Sequence, residues 1–285
     1  MDQISTANQR ILFVETDERL RVSLTSELSS LGHTVVALNE RRAALARDDL
    51  DSFDLIISDL ADEVSNSQPV AEKQRRRLFT PAASSNVSSE HIAAFKIGAN
   101  SPGLRRADNI LRPILKTIFS HKSRFIDDPH SDHRLHEKID FELPSDLSLM
   151  SMVIDYLLDR VTKLGLIRPE RSNLFVALDE AFVNAVKHGN KHDQTKLLRI
   201  TAELSREEAI FTVEDEGSGF DVSEIPDPCD PANLFRTSGR GVMLMYNIMD
   251  KVEYNAQGNR VTMTKRSGEN SLIESPPKSV RRPNR

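Results

Sequence analysis

Short apolar runs alternate with segments of helical apolar spacing in the first part of the chain. Three runs have the length and composition of buried strands, at 10–17, 33–38 and 53–60. The segments between them, 18–32 and 40–50, carry apolar side chains at helical spacing, and the first stops at Gly32, a typical residue after a helix end. Strands and helices that alternate with short connections predict a parallel sheet covered by helices.

The alternation weakens over the polar residues 61–89 and then returns. The sequences EHIAAFKIGA (90–99) and ADNILRPILKTIFSH (107–121) both have a helical period, which predicts two further helices. We therefore expect a first domain at 1–121, an α/β sandwich built around a parallel sheet.

Residues 140–266 combine helices and strands in a different arrangement. Two long apolar-periodic segments, 147–165 and 168–189, predict helices, and several alternating strands follow them. Antiparallel strands with helices on one side predict a two-layer α/β sandwich. The charged residues 122–139 are predicted to form a linker, and residues 267–285 a disordered tail.

The composition is that of a globular protein with about two domains. The chain has 285 residues, of which 38% are hydrophobic and 28% charged, and no run reaches the roughly 18 apolar residues that span a bilayer. The start, MDQISTANQR, lacks the apolar core of a signal peptide. Cys229 is the single cysteine, so no internal disulfide is expected, and the net charge of −5 argues against direct nucleic-acid binding. We expect a cytoplasmic protein with no membrane partner.

The segment DEAFVNAVKHGN (179–190) places an acid, an amide and an imidazole at intervals of four on a predicted helix, at Glu180, Asn184 and His188. Four-residue steps put these side chains on one face. An amide oxygen suits Mg²⁺, and a carboxylate one turn away can accept a proton from a nucleophile or orient a water. The alternative is a polar cluster that caps neighbouring backbone or pairs with a lysine.

Two glycine motifs follow that helix. The first, VEDEGSGFD (213–221), places Asp215, Gly217 and Gly219 directly after a predicted strand. Glycines there let the backbone approach a ligand closely, and an aspartate beside such a turn can accept a hydrogen bond from an exocyclic amine such as that of adenine. The second, SGRGVMLM (238–245), places Gly239 and Gly241 before a helix, where backbone N–H groups can bind an anion. Taken alone, the first motif is also explained by an ordinary β-turn, and the second by an ordinary glycine hinge.

The order and spacing of the three motifs resemble the GHKL ATPase superfamily, whose N box is matched by DEAFVNAVKHGN, G1 box by DEGSG and G2 box by GRGVML. Within it, SGRGVMLMYNIMDKVEYN is most similar to the anti-sigma-factor serine/threonine kinases of bacterial partner switching. The resemblance covers about residues 140–266. It implies the two-layer α/β sandwich of the histidine-kinase-like ATPases.

That resemblance implies a role for each matched residue. Glu180 is the general base, Asn184 binds Mg²⁺ and contacts ATP, and Asp215 recognises adenine. Other residues are implied to shape the ATP pocket: Gly217, Gly219, Gly239 and Gly241. Either Arg236 or Arg240 contacts the γ-phosphate, and residues 220–238 form a lid over ATP.

The implied function is ATP-dependent phosphorylation of a serine on an anti-sigma-factor antagonist, with ATP and Mg²⁺ as cofactors and a sigma factor as a second partner. A homodimer agrees with the resemblance, since this kinase family is often dimeric. The alternative is a non-catalytic ATP-binding switch that sequesters a protein partner. Histidine kinases share the ATP-binding fold, but they need a phosphoacceptor histidine on a long helical hairpin, for which the linker 122–139 is too short.

The first domain resembles a response-regulator receiver, which implies a flavodoxin-like parallel α/β sandwich. The resemblance rests on ILFVETDE at the first strand, FDLIISDL at the third and AFKIGAN near the end. Receivers place two adjacent acids after the first strand and a phosphoacceptor aspartate after the third. Asp59 holds the acceptor position here, but the adjacent pair is Glu15 and Thr16, and Asp17 could replace Thr16 only if the loop shifted by one residue.

The loss of one carboxylate removes a ligand of Mg²⁺, a cation with strict geometric demands. The usual receiver lysine aligns with Arg105, and the usual threonine or serine with Thr80 or Ser84. We therefore expect a pseudo-receiver that docks or dimerises to regulate the kinase without chemistry, with phosphorylation of Asp59 as the alternative.

Overall fold

The computed structural model describes residues 8–59, 92–99, 108–127, 136–167, 173–222 and 240–267. The chain divides into two compact units, Met1–Pro144 and Ser145–Arg285. Among the helices within the described ranges, none is both long enough and apolar enough to cross a membrane. The segments predicted as a lid (220–238) and a tail (267–285) fall mostly outside the described residues.

The first unit begins as its sequence pattern predicts. Its elements are strand β1 (Arg10–Val14), helix α1 (Glu18–Ser30), strand β2 (Thr34–Leu38), helix α2 (Arg41–Leu45), strand β3 (Leu55–Asp59), strand β4 (Ile92–Ala99), helix α3 (Asp108–Ile126) and strand β5 (His136–Pro144). Asp17 caps α1, since its Oδ1 accepts from the Leu20 N–H at 2.9 Å. Leu20, Leu24 and Leu28 of α1 are buried at four-residue spacing, so the helix packs one apolar face.

The sheet of the first unit has the order β2-β1-β3-β4-β5. Strand β1 is parallel to β2 and to β3, as predicted. Strand β4, however, is antiparallel to β3, with Ile97 opposite Ile57, and is parallel to β5. The predicted all-parallel sheet is therefore wrong at β4.

The prediction of a helix at 90–99 is also wrong, because Ile92–Ala99 is strand β4. Phe95 and Ile97 are buried, and so is Lys96 between them. A strand that is covered on both sides has no period-two alternation, and a short apolar run of this kind cannot be distinguished from a helix by periodicity.

The boundary between the units also differs from the expected one. Helix α3 continues past His121 to Ile126, because Lys122 and Ile126 are buried and keep the helix packed. Strand β5 starts at His136, inside the segment predicted as a linker.

The second unit has the predicted alternation of helices and antiparallel strands. It contains helix α4 (Leu147–Lys163), helix α5 (Leu174–Val183), one π-helical turn (Asn184–Gly189), strand β6 (Leu197–Ser205), strand β7 (Glu208–Asp215), helix α6 (Arg240–Ile248), strand β8 (Lys251–Tyr254) and strand β9 (Arg260–Arg266). Asp146 caps α4 through a 2.8 Å hydrogen bond from the Ser148 N–H, and the helix ends before Gly165, whose φ is +79°.

Its strands are paired in the order β6-β7-β9-β8, and all three pairings are antiparallel. Alternate residues of β7 are buried, so one face of the sheet is covered. Helix α5 packs against both α4 and α6. The last turn of α5 lies against the start of α6, and the π turn that follows α5 lies against the end of β7.

Candidate functional site

Helix α5 and the π turn carry the three polar residues of the N-box segment. Glu180 and Asn184 are half-buried, whereas His188 is exposed. After Val183 the backbone widens, and the Asn190 N–H donates to the Ala185 carbonyl at 2.8 Å, a five-residue step. The wider turn breaks the four-residue spacing, so the face predicted to hold three polar groups holds Glu180 and Asn184 without His188.

Glu180 lies against the first turn of α6. A Cβ added at Gly241 would overlap the Glu180 carboxylate and lie 2.9 Å from its Cδ. A glycine is therefore required at this position for the carboxylate to reach the helix start, where unpaired N–H groups make the end positive. The resemblance implied that Gly241 shapes the ATP pocket, and the structure adds a close approach of the Glu180 carboxylate to Gly241.

Asp215 ends strand β7 and is 8% exposed. Its Oδ1 accepts a hydrogen bond from the Gly217 N–H at 2.7 Å. Burial raises the pKa of Asp215 above its usual value, and the Gly217 N–H and the charge of Lys196 oppose that rise. Within the described part of the chain, Oδ2 accepts no hydrogen bond, which leaves one carboxylate oxygen for a donor from a ligand.

The end of the π turn touches the glycine loop that follows β7. A Cβ at Gly189 would overlap the Asp215 carboxylate, and a Cβ at Gly217 would overlap the Gly189 carbonyl and lie 2.7 Å from Asp215 Oδ1. Gly189 was not among the predicted site residues. The sequence KHGN (187–190) contains this glycine, but we interpreted it only as the end of the predicted helix 168–189.

Asn190 joins three segments of the site and was also not predicted. It is 0% exposed. Its Nδ2 donates to the Leu197 carbonyl at 3.0 Å, and its Oδ1 accepts from the Glu216 N–H at 2.8 Å. The next two residues, Lys191 and His192, have φ values of 57° and 58°, which non-glycine residues adopt infrequently. Asn190 thus stabilises a tight turn and the loop after Asp215.

Some predicted site residues lie outside the described part of the chain. These are Gly239, Arg236, Arg105, Thr80 and Ser84. Arg240 is the first residue of α6, and the structure describes its backbone but not its side chain. Gly219 has a positive φ of +74°, a conformation that glycine adopts readily.

In the first unit, the acid that follows β1 is neutralised internally. Glu15 is 3% exposed, and Lys122 of α3 places its Nζ 2.6 Å from Glu15 Oε2. The same ammonium lies 5.1 Å from the centre of the Phe95 ring. Lys122 thus already supplies the positive charge that a metal ion would otherwise bring to Glu15. No local pattern points to Lys122 as the partner of Glu15, because 107 residues separate the two.

Asp59 and Thr16 face each other at the ends of β3 and β1. The Thr16 hydroxyl donates to Asp59 Oδ2 at 3.1 Å, and Arg41 donates to the Asp59 carbonyl. Asp17 is engaged as the α1 cap, so it does not replace Thr16 as a second acid. In the ranges that the structure describes, no group of three or more His, Cys, Asp or Glu side chains is arranged to bind a metal ion.

The residues of the second unit fit ATP and Mg²⁺ in their chemistry. Carboxylate and amide oxygens at Glu180 and Asn184 are the ligand type that Mg²⁺ shares with phosphate oxygens. Gly189, Gly217 and Gly241 stand where a Cβ would fill space that the site needs. The unpaired N–H groups at the start of α6 suit a phosphate.

Residues 143–265 match the sequence family described as a histidine kinase-like ATPase domain. The serine-protein kinase RsbW of Listeria innocua serovar 6a is 27% identical over 147 residues, which are 49% of this chain and 94% of that protein. The anti-sigma F factor of Clostridium perfringens strain SM101 is 32% identical over 95 residues, 33% of this chain and 68% of that protein. A second anti-sigma F factor, from C. perfringens strain ATCC 13124, is 30% identical over 102 residues, 34% of this chain and 73% of that protein.

These matches confirm the predicted resemblance of the second unit to the GHKL kinases. The resemblance of residues 10–121 to a receiver stays a prediction.

Proposed function

Since this chain belongs to the family of anti-sigma F factors and related serine-protein kinases with a histidine kinase-like ATPase domain, we propose that it is an ATP-dependent serine/threonine kinase of bacterial partner switching. It transfers the γ-phosphoryl group of ATP to a serine hydroxyl of an anti-sigma-factor antagonist. The observation that carries the proposal is the convergence of Glu180, Asp215 and the first turn of α6, joined by contacts at Gly189 and Gly241.

In the proposed reaction, Glu180 accepts the proton of the serine hydroxyl. The serine oxygen bonds to the γ-phosphorus as the bond to the β–γ bridging oxygen breaks, which yields phosphoserine and ADP. Asp215 holds the adenine end of the nucleotide through its free Oδ2, and the N–H groups at the start of α6 face the phosphates. Most of the rate enhancement then comes from positioning and charge stabilisation, as in other phosphoryl transfers.

Asn184 is the proposed Mg²⁺ ligand, and the bound cation would neutralise charge that develops on the phosphates. Gly239 and Arg240 precede or open α6 and belong to the same phosphate-binding segment. We further propose a cytoplasmic location, a sigma factor as second partner, and a homodimer as the assembly.

The first unit is proposed to be a regulatory pseudo-receiver. The buried Glu15–Lys122 pair and the Asp17 cap support this, because both acids beside β1 already have partners within the chain. Incubation of the full-length protein with acetyl phosphate and Mg²⁺ tests it by mass spectrometry, and we expect no phosphoryl group on Asp59. Stoichiometric phosphorylation of Asp59 would contradict it.

The kinase proposal is tested by incubating the full-length protein with γ-labelled ATP and each anti-sigma-factor antagonist of its own organism. We expect label on a serine of one antagonist, identified by peptide mass spectrometry. A protein that binds ATP and an antagonist without transferring phosphate would instead be the non-catalytic switch.

A further inference from the structure

The loop after β7 is held by a turn that lies outside the N, G1 and G2 boxes. We name residues 215–220 the base loop, and residues 255–259, which join β8 to β9, the clamp turn. The base loop begins with Asp215, the proposed adenine-recognising residue. The clamp turn lies about 40 residues further along the chain and touches the base loop through side-chain and backbone atoms.

Asn259 makes reciprocal hydrogen bonds with Asp215. Its Nδ2 donates to the Asp215 carbonyl at 2.9 Å, and the Asp215 N–H donates to the Asn259 carbonyl at 3.0 Å. The Asn259 amide is itself oriented, since Asn255 Nδ2 donates to Asn259 Oδ1 at 2.8 Å. Asn255 Oδ1 accepts in return from the Asn259 N–H at 3.1 Å. The backbone of Asp215 is therefore fixed on both sides by the clamp turn.

The two segments also pack backbone against backbone through a pair of glycines. Gly219 and Gly258 have φ values of +74° and +76°. A Cβ at Gly258 would overlap the Phe220 carbonyl and lie 2.8 Å from the Phe220 nitrogen, and a Cβ at Gly219 would overlap the Gln257 carbonyl. The Phe220 N–H donates to that same Gln257 carbonyl at 3.2 Å. The close approach therefore depends on having no side chain at either position.

The far end of the base loop is supported by a ring contact. The rings of Phe220 and Tyr254 meet edge to face, with 5.3 Å between their centres. The clamp turn and its flanking strand thus hold both ends of the base loop. Motion of the turn would move the Asp215 carboxylate, and a site of this kind tolerates displacements of only about 0.5 Å.

We propose that the clamp turn sets the nucleobase selectivity of the kinase, with Gly258 and Asn259 as positioning residues that aim Asp215. The inference rests on the proposed function, because it takes ATP as the nucleotide. Adenine presents an amine that donates to a carboxylate, whereas guanine presents a carbonyl oxygen at the same position, which a carboxylate repels. A displaced Asp215 therefore loses its hydrogen bond to adenine, which weakens ATP binding, whereas GTP has no such bond to lose.

The test measures dissociation constants of ATP and GTP for the full-length protein by calorimetry. We expect wild type to prefer ATP. Gly258→Ala and Asn259→Asp are expected to weaken ATP binding about 10-fold, the equivalent of one well-formed hydrogen bond, without weakening GTP binding. Asn259→Asp keeps the acceptor for Asn255 and removes the donor to Asp215, so it gives the same test if Gly258→Ala does not fold.

Gly165→Ala is the matched control. Gly165 also has a positive φ, +79°, but a Cβ there meets nothing within 4 Å. Gly165→Ala introduces the same backbone strain but does not contact the base loop, so this variant should keep the wild-type preference for ATP over GTP. If Gly258→Ala or Asn259→Asp weakens ATP and GTP binding equally, so that the wild-type ratio is kept, the role of the clamp turn is overturned and the proposed function is not. A wild-type protein that binds neither nucleotide would overturn the proposed function and this inference with it.

Discussion

Each unit has a partly or fully buried glutamate at a candidate site: Glu15 follows strand β1, and Glu180 lies in the last turn of helix α5. The two carboxylates differ in whether a cation of the same unit neutralises them. Glu15 is buried and forms an ion pair with Lys122 of the same unit. Glu180 is half-buried, and within the described residues no cation pairs with it. A carboxylate whose charge is already neutralised has little to offer a metal ion or a proton, whereas one left beside a glycine and a helix start can act on a ligand.

The surroundings of the acidic side chains differ between the units in the same way. Gly241 and Gly189 leave room for the carboxylates of Glu180 and Asp215. In the first unit, Thr16, Arg41 and Lys122 provide hydrogen bonds and charge to Asp59 and Glu15 directly. The first unit thus satisfies its acids internally, and the second leaves its acids available.

The largest effect is expected from breaking the ion pair. Lys122→Met should lower the free energy of unfolding of the first unit by about 3–5 kcal/mol, because Glu15 would stay buried without a counter-charge. Chemical denaturation followed by fluorescence or circular dichroism measures it. Lys116→Met, on the exposed side of the same helix, should change little. The double variant with Glu15→Gln should recover most of the loss, and a double variant no more stable than Lys122→Met would contradict the pairing.

Gly241→Ala should reduce phosphoryl transfer about 100-fold, because the added methyl group displaces the Glu180 carboxylate. Initial rates at saturating ATP measure it. Gly165→Ala serves again as the control for glycine replacement. A rate within two-fold of wild type, on the order of the scatter between similar variants, would show that the contact does not position Glu180.

Asn190→Ala should lower the free energy of unfolding of the second unit by about 1–3 kcal/mol, because the Leu197 carbonyl and the Glu216 N–H lose a buried partner. Thermal and denaturant unfolding measure it. Gln194→Ala removes an exposed amide from the same connection and should be nearly neutral. Equal effects of the two substitutions would argue against the structural role of Asn190.

The smallest effect concerns pH. Burial raises the pKa of Asp215, so the folded state binds this proton more tightly than the unfolded state. Its contribution to stability is present at pH below the usual aspartate pKa and is lost as pH rises through the raised value. ATP needs the ionised form, so ATP affinity should fall as pH drops through the same raised pKa. Calorimetry at several pH values checks this, and Asp215→Asn should remove the dependence on pH in that range.

Much of the second unit could be predicted from its sequence, because its signals are local. The strands alternate, Gly165 ends a helix, and the three motifs stand in family order. The π turn could not be predicted, since a run such as NAVKHG fits a four-residue step equally well. The contact of Gly189 with Asp215 depends on a strand that returns from elsewhere in the chain.

The first unit was predicted less well for a related reason. Consecutive residues of β4 are buried, among them Phe95, Lys96 and Ile97, so the apolar run carried no strand period. The direction of β4 depends on the connection that leads to it, and the partner of Glu15 lies on a distant helix. The strand at Ile92–Ala99, the direction of β4 and the partner of Glu15 all depend on contacts between residues far apart in the chain. Local sequence patterns do not predict such contacts.

The most direct test of the account compares two neighbouring acids of α5. Phosphoryl transfer from ATP to the antagonist is measured for Glu180→Gln and for Asp179→Asn, with ATP affinity measured in parallel. We expect Glu180→Gln to lower the transfer rate by about 10²- to 10⁴-fold at nearly unchanged ATP affinity, the range for loss of a general base. Asp179→Asn should stay close to wild type. Equal rates for Glu180→Gln and wild type would contradict it.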